Sequence, residues 1–260
     1  MIGIFDSGVG GMTVARAIEQ ALPQYRLVYF GDLARTPYGS KSGETIARYS
    51  RENVEFLLGQ GAKIIVVACN SAASVAADRL RTAYPVPIFE VIAPAVAEAI
   101  KASGGGRIGV IGTRATVKSG VYEAKIRAAA DHCRVFSVAC PLLVPLVEEG
   151  WLARRETKMI VRRYLAPLKE KQVDTLVLGC THYPLLKDLI QPRIGRRVRV
   201  IDSSQALAAD LRTFLDENPA LAAELSRGGE NLYYASDVTE AATMIALRIF
   251  GRPIELRHTG

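Results

Sequence analysis

Short apolar runs recur along the chain, and most are separated by stretches whose apolar positions repeat with helical spacing. The runs fall near 3–5, 27–30, 64–68, 88–91, 108–111, 135–138, 175–178, 198–201 and 232–235. Continuous short runs of this kind suit buried strands. The stretches 42–60, 71–84, 95–102, 116–131, 154–171 and 205–218 predict amphipathic helices. Strand–helix alternation builds βαβ units, so the expected class is α/β, with mainly parallel sheets flanked by helices. The pattern leaves the direction of the last strand open.

Two segments repeat one plan. Ile64-Ile65-Val66-Val67-Ala68-Cys69-Asn70-Ser71 and Thr175-Leu176-Val177-Leu178-Gly179-Cys180-Thr181-His182 both run from an apolar strand through a small residue to Cys. Polar side chains at a helix start follow in each. A looser echo links Ile2-Gly3-Ile4-Phe5-Asp6-Ser7-Gly8 to Ile108-Gly109-Val110-Ile111-Gly112-Thr113. Two similar, pseudo-symmetric domains are expected, each bringing one Cys to a shared cleft. Open α/β sheets hold ligands outside the carboxyl ends of their strands, and both thiols fall there.

Composition then removes several classes of function. The chain has 260 residues, 49% of them hydrophobic, enough for a large core. No run approaches the roughly 18 apolar residues of a membrane span. Residues 1–6 pass straight into a strand with no cleavable leader, so a cytoplasmic protein without a membrane partner is expected. The cysteines at 69, 133, 140 and 180 lack Cys-x-x-Cys spacing, and three histidines are too few to suggest a metal site. In a reducing compartment these thiols stay free. Cys133 and Cys140, without polar company, are expected in the core, and His132 and His258 at the surface. The net charge of +7 includes Arg193, Arg196, Arg197 and Arg199 but comes without a nucleic-acid module or interleaved aromatics. Nucleic acid is therefore not an expected partner.

Glycine-rich stretches imply no cofactor. Gly104, Gly106 and Gly109 have dinucleotide-type spacing but precede a strand instead of linking a strand to a helix. The loop Asp6-Ser7-Gly8-Val9-Gly10-Gly11-Met12-Thr13 follows a strand and leads into a helix. Its backbone N–H groups suit a small carboxylate, and a tight turn capped by Asp6 or Ser7 is an equal reading.

Two opposed thiols can do what one cannot. A thiolate removes a proton from a carbon beside a carboxylate, and a thiol returns one to the opposite face; the roles exchange in reverse. Asp6 and His182 are candidate partners of the thiols, one in each half.

Phe5-Asp6-Ser7-Gly8-Val9-Gly10-Gly11, Pro37-Tyr38-Gly39, Ala68-Cys69-Asn70-Ser71-Ala72, Glu148-Glu149-Gly150 and Gly179-Cys180-Thr181-His182-Tyr183-Pro184 resemble the motifs of glutamate racemases. Order and spacing agree across nearly the full chain. The resemblance implies cofactor-independent interconversion of L- and D-glutamate, supplying D-glutamate for peptidoglycan. It also implies two α/β domains with the active site in the cleft between them. The expected division is 1–92 plus 206–260, carrying Cys69, and 93–205, carrying Cys180.

By the same resemblance Cys69 and Cys180 are the acid/base pair, Cys69 facing the D-enantiomer's proton and Cys180 the L-enantiomer's. Asp6 and Ser7, Tyr38 and Gly39, Asn70 and Ser71, and Thr181 and His182 are implied substrate contacts. Asp6, Asp32, Glu148 and His182 are implied to assist proton handling. One departure is Ser71, where the family pattern usually has Thr; the hydroxyl is kept, so packing is expected to change and chemistry is not. Local chemistry alone reads Tyr38 as a turn residue and Glu148-Glu149 as a solvated helix end. A racemase of aspartate and a protein that binds an acidic ligand without turnover are the alternatives. A homodimer stays open as the assembly.

Overall fold

The computed structural model describes residues 1–259. The chain opens with β1 (Ile2–Asp6), α1 (Met12–Ala21), β2 (Leu27–Gly31), α2 (Gly43–Gly59), β3 (Ile64–Val67), α3 (Asn70–Ala83), β4 (Ile88–Glu90) and α4 (Ile92–Ala102). A second series follows: β5 (Arg107–Gly112), α5 (Arg114–Ser119), α6 (Val121–Ala129), β6 (Arg134–Ala139), α7 (Leu143–Glu148), α8 (Arg155–Glu170), β7 (Thr175–Gly179), α9 (Lys187–Ile194), β8 (Arg199–Asp202) and α10 (Ser203–Glu217). The chain then returns through α11 (Pro219–Glu224), β9 (Leu232–Ala235), α12 (Glu240–Phe250) and β10 (Leu256–His258).

Among the described residues ten strands form two sheets, in the orders β10-β9-β2-β1-β3-β4 and β6-β5-β7-β8. Every ladder in them is parallel, β9 against β2 included. The expected α/β class holds. The segments β2-β1-β3-β4 and β6-β5-β7-β8 wind identically, with the second strand on one side of the first and the third and fourth on the other. β1 and β5 therefore each stand where winding reverses, and a crevice opens outside their carboxyl ends. This is the pseudo-symmetry that the repeated segments foretold.

Burial explains why the strands read as continuous runs. β1, β2, β3 and β7 are buried at every residue, being covered on both faces. α2 shows the helical counterpart: Ser42 caps it by accepting from the Thr45 N–H, and Ile46, Ser50, Asn53, Val54 and Leu57 form its buried stripe. The single helix expected over 116–131 is two helices, α5 and α6. Gly120, at φ +67°, takes the left-handed conformation that ends α5 and redirects the chain. β10 escaped prediction because it is a three-residue edge strand, Leu256-Arg257-His258.

One apolar cluster runs from Phe5 and Ile65 through Val96 of α4 and Leu207 of α10 to Val110 and Val177 of the second sheet. A second, with Leu143, Leu165, Leu176 and Leu186, fills the space beneath α7, α8 and α9. Cys133 and Cys140 are buried in these clusters, while His132 and His258 are exposed, as expected. Among the described residues no helix is long and apolar enough to cross a membrane.

Candidate active site

The first and third strand of each series deliver side chains to the crevice. β3 ends at Val67, and two residues later Cys69 stands at the N-cap of α3 with extended backbone. Its thiol thus lies at the positive end of a helix. β7 ends at Gly179, and Cys180 follows at once, ahead of a short 3₁₀ turn, Tyr183–Leu186. Phe5 pairs with Val67, and Gly112 pairs with Gly179. Extending each register sets Ser7 opposite Cys69 and Thr113 opposite Cys180.

These loops close on a cavity of about 20 Å³. Cys69, Asn70, Ser71 and Ser7 line it from the first half, with Tyr38 and Gly39 beside them. Cys180, Thr181 and His182 line it from the second. Thr36, Pro37, Thr113 and Val144 complete the wall. That volume holds about one water molecule. An amino acid is larger than this, so the walls must move to admit one. A larger cavity of about 610 Å³ lies between α7 and α12 beside Glu148, and neither thiol reaches it.

The thiols have unlike company. The Cys69 S–H donates to Ser7 Oγ at 3.5 Å. Burial, reinforced by the Asp6 carboxylate, pushes the Cys69 thiol up to about 12, so it keeps its proton in this closed form. Cys180 Sγ lies 3.9 Å from His182 Nδ1. On the other side of the ring, Nε2 is 3.2 Å from Glu148 Oε1. That separation is an ion pair's, but the N–H does not align as a hydrogen bond, so the attraction is one of charge. Burial pulls His182 toward the neutral form; contact with Cys180 and Glu148 outweighs it and pushes the imidazole up to about 10. A buried imidazolium is thus held beside Cys180 at neutral pH.

Asp6 is fully buried, and burial raises its pKa against the opposing effects of His182 and of its hydrogen-bond donors. Its Oδ2 accepts from Gly8 N and Gly11 N at 3.0 and 3.1 Å, and its Oδ1 from Thr181 Oγ1 at 3.3 Å. Two of the loop N–H groups suited to a ligand carboxylate are therefore taken by Asp6, and the capped-turn reading describes the loop. Tyr38 is buried rather than a surface turn residue; its hydroxyl donates to Asp32 and accepts from Asn53 Nδ2 at 3.1 Å. Asp32 also accepts from Arg35 Nε at 2.7 Å and Ser236 Oγ at 3.1 Å. It stands behind Tyr38 and is not among the residues lining the cavity. Neither Glu148 nor Asp6 lines the cavity; Glu148 meets His182, and Asp6 meets Thr181.

Thr36, Thr113 and Val144 were not singled out from the sequence. Thr113 was within reach, because the echo of Ser7 falls on it; its Oγ1 lies 2.9 Å from Ser71 Oγ. Nothing local marks Thr36 or Val144, which join the wall only when the halves face each other. Close approach of the halves rests on two glycines. A Cβ on Gly39 would lie 2.5 Å from Thr113 Cβ, and one on Gly10 would lie 2.4 Å from His182 Nδ1. Among the described residues no group of three or more His, Cys, Asp or Glu side chains is placed to hold a metal ion.

The family model for Asp/Glu/hydantoin racemases matches residues 10–211. The glutamate racemase of Aquifex aeolicus is 47% identical over 99% of this chain and 97% of its own. A solved glutamate racemase isoform of Bacillus anthracis superposes with a TM-score of 0.93 at 36% identity, covering 100% of this chain and 97% of its own. The Francisella tularensis glutamate racemase, solved in complex with D-glutamate, gives a TM-score of 0.90 at 31% identity over 100% of this chain and 97% of its own.

Proposed function

The chain belongs to the Asp/Glu/hydantoin racemase family, and we propose that within it the protein is a cofactor-independent glutamate racemase working by proton transfer between Cys69 and Cys180. One observation carries the mechanism: the two thiols, one from each sheet, line the same small cavity. Cys180 as thiolate, its charge balanced by the His182 imidazolium 3.9 Å away, takes the Cα proton of L-glutamate. The resulting carbanion collects a proton from the Cys69 thiol on the opposite face, leaving D-glutamate, a Cys180 thiol and a Cys69 thiolate. The reverse reaction exchanges the roles. The Ser7 hydroxyl, 3.5 Å from Cys69 Sγ, and the N-terminus of α3 then face the charge left at Cys69.

Asn70 Nδ2, the Ser71, Thr113 and Thr181 hydroxyls, and the Tyr38-Gly39 turn hold the substrate's carboxylates and ammonium. Fixed donors in a cavity closed to bulk water stabilise the charge that develops at Cα. Asp32 holds Tyr38, and Glu148 holds His182. The halves that open and close are 1–92 plus 206–260 and 93–205, the second junction falling in the first turn of α10. The product is D-glutamate for peptidoglycan, made in the cytoplasm, and the assembly we favour is a homodimer.

The test is loss of optical rotation from pure L-glutamate incubated with the protein and no added cofactor. Cys69→Ser and Cys180→Ser are each expected to abolish racemisation nearly completely; near-normal turnover in either would sink the two-thiol mechanism. Cα proton–deuterium exchange in heavy water, run on L-glutamate and L-aspartate, separates this reading from an aspartate racemase. Thermal stabilisation by glutamate with no exchange would instead favour a binding protein.

A further inference from the structure

Asn70 is bonded on one side only. Its Oδ1 accepts from the Tyr122 hydroxyl at 2.7 Å, while its Nδ2 is buried and has no partner. Asn70 opens α3 in the first half and lines the cavity; Tyr122 lies in the first turn of α6, in the second half, and is buried. The ring also reaches the other thiol loop: a Cβ on Gly179, the residue before Cys180, would sit 3.3 Å from Tyr122 Cε2. One side chain therefore touches the neighbours of both thiols.

Hydrogen-bond accounting decides which way the amide faces. A tyrosine hydroxyl has one proton to donate, and an amide side chain has both an acceptor and a donor end. Were the amide turned over, Nδ2 would donate to the hydroxyl and the Tyr122 proton would lose the acceptor it has here. An unpaired buried donor costs about 1–3 kcal/mol. With Tyr122 donating, its proton is satisfied and Nδ2 is the group left over, ready for an anionic oxygen.

We propose that Tyr122 is a positioning residue for racemisation: by donating across the cleft to Asn70 Oδ1, it keeps Asn70 Nδ2 directed into the cavity as the donor to a substrate carboxylate. The proposal rests on the reading of Asn70 as a substrate contact. It further implies that the amide is set only when the two halves are together, so the donor is presented as the cavity closes.

Tyr122→Phe removes one oxygen and keeps the ring against Gly179. Steady-state racemisation of both enantiomers is to be measured for Tyr122→Phe, Asn70→Ala and the double variant. Each single change is expected to raise KM for glutamate about tenfold or more with kcat altered less than about threefold. The double variant is expected to match Asn70→Ala alone, since Tyr122 acts through the amide. A KM unchanged in Asn70→Ala would remove the substrate contact itself and leave the two-thiol chemistry untouched. A raised KM in Asn70→Ala with a normal Tyr122→Phe, or effects that multiply in the double variant, would overturn the positioning role.

Discussion

Gly10 is the point at which the first half leans on the His182 imidazole, and replacing it by alanine tests the closed geometry directly. A Cβ there would meet His182 Nδ1 at 2.4 Å, His182 Cε1 at 2.6 Å and Thr181 Oγ1 at 2.6 Å. The shortest of these falls about 1 Å inside ordinary carbon–heteroatom contact. The ring cannot simply swing aside, because His182 is buried between Cys180 and Glu148. Either the imidazole moves by about 1 Å or the halves stay apart by a similar amount. Overpacking of this kind costs about 1–3 kcal/mol, and each of those lowers Tm by about 2–4 °C in a chain of this size. A misplacement of about 1 Å at reacting groups costs on the order of 10²-fold in rate. Cα proton–deuterium exchange of L-glutamate in heavy water, followed by NMR, reads the chemistry apart from product release. Gly59→Ala is the control, since a Cβ there meets nothing within 4 Å. Gly10→Ala exchanging within about threefold of the control would refute the reasoning, because His182 would then not need its position.

Glu148→Gln keeps the shape beside His182 and removes the charge. The His182 pKa is raised from 6.5 to about 10 in the folded protein, so its contribution to stability is complete below about pH 6.5 and fades as pH climbs toward 10. The Tm gap between wild type and Glu148→Gln is therefore expected to be widest near pH 6 and to shrink by pH 10; a gap independent of pH would contradict the pairing. Tyr38→Phe takes a donor from Asp32 and an acceptor from Asn53, with an expected loss of about 1–3 kcal/mol in denaturant unfolding. An unchanged midpoint would show that Asp32 has no need of that hydroxyl. Ser71→Thr retains the oxygen that meets Thr113 at 2.9 Å, so racemisation is expected to stay within a few-fold while Tm responds to the added methyl. A loss beyond about tenfold would show that residue 71 does more than supply a hydroxyl.

The strands were legible because layers of helices cover both faces, turning each into an unbroken apolar run such as Ile64-Ile65-Val66-Val67. The thiol loops were legible because one plan occurs twice and the two copies lie at equivalent strand ends. What escaped depends on contacts between distant parts of the chain. Tyr122 faces Asn70 only because Gly120 breaks the helix ahead of it, and one amphipathic pattern covers both α5 and α6. Asp32 carries no local mark of being screened by Tyr38, since that requires the turn after β2 to fold back over it. Glu148 reads as a helix end by composition and meets His182 only through the packing of α7 against the crevice.

The unequal settings of the two thiols have a consequence that concerns the reaction as a whole. Reactant and product of a racemisation are mirror images, equal in free energy in achiral water, so the equilibrium constant is unity whatever the protein does. Detailed balance then requires the same kcat/KM in both directions. Ser7 and Asp6 at one thiol and His182 with Glu148 at the other cannot make this protein a net producer of either enantiomer. Their difference is confined to how each direction divides its efficiency between saturation and turnover, so a tighter grip on one mirror form is matched by slower release into the other. Net flow has to come from removal of one enantiomer elsewhere.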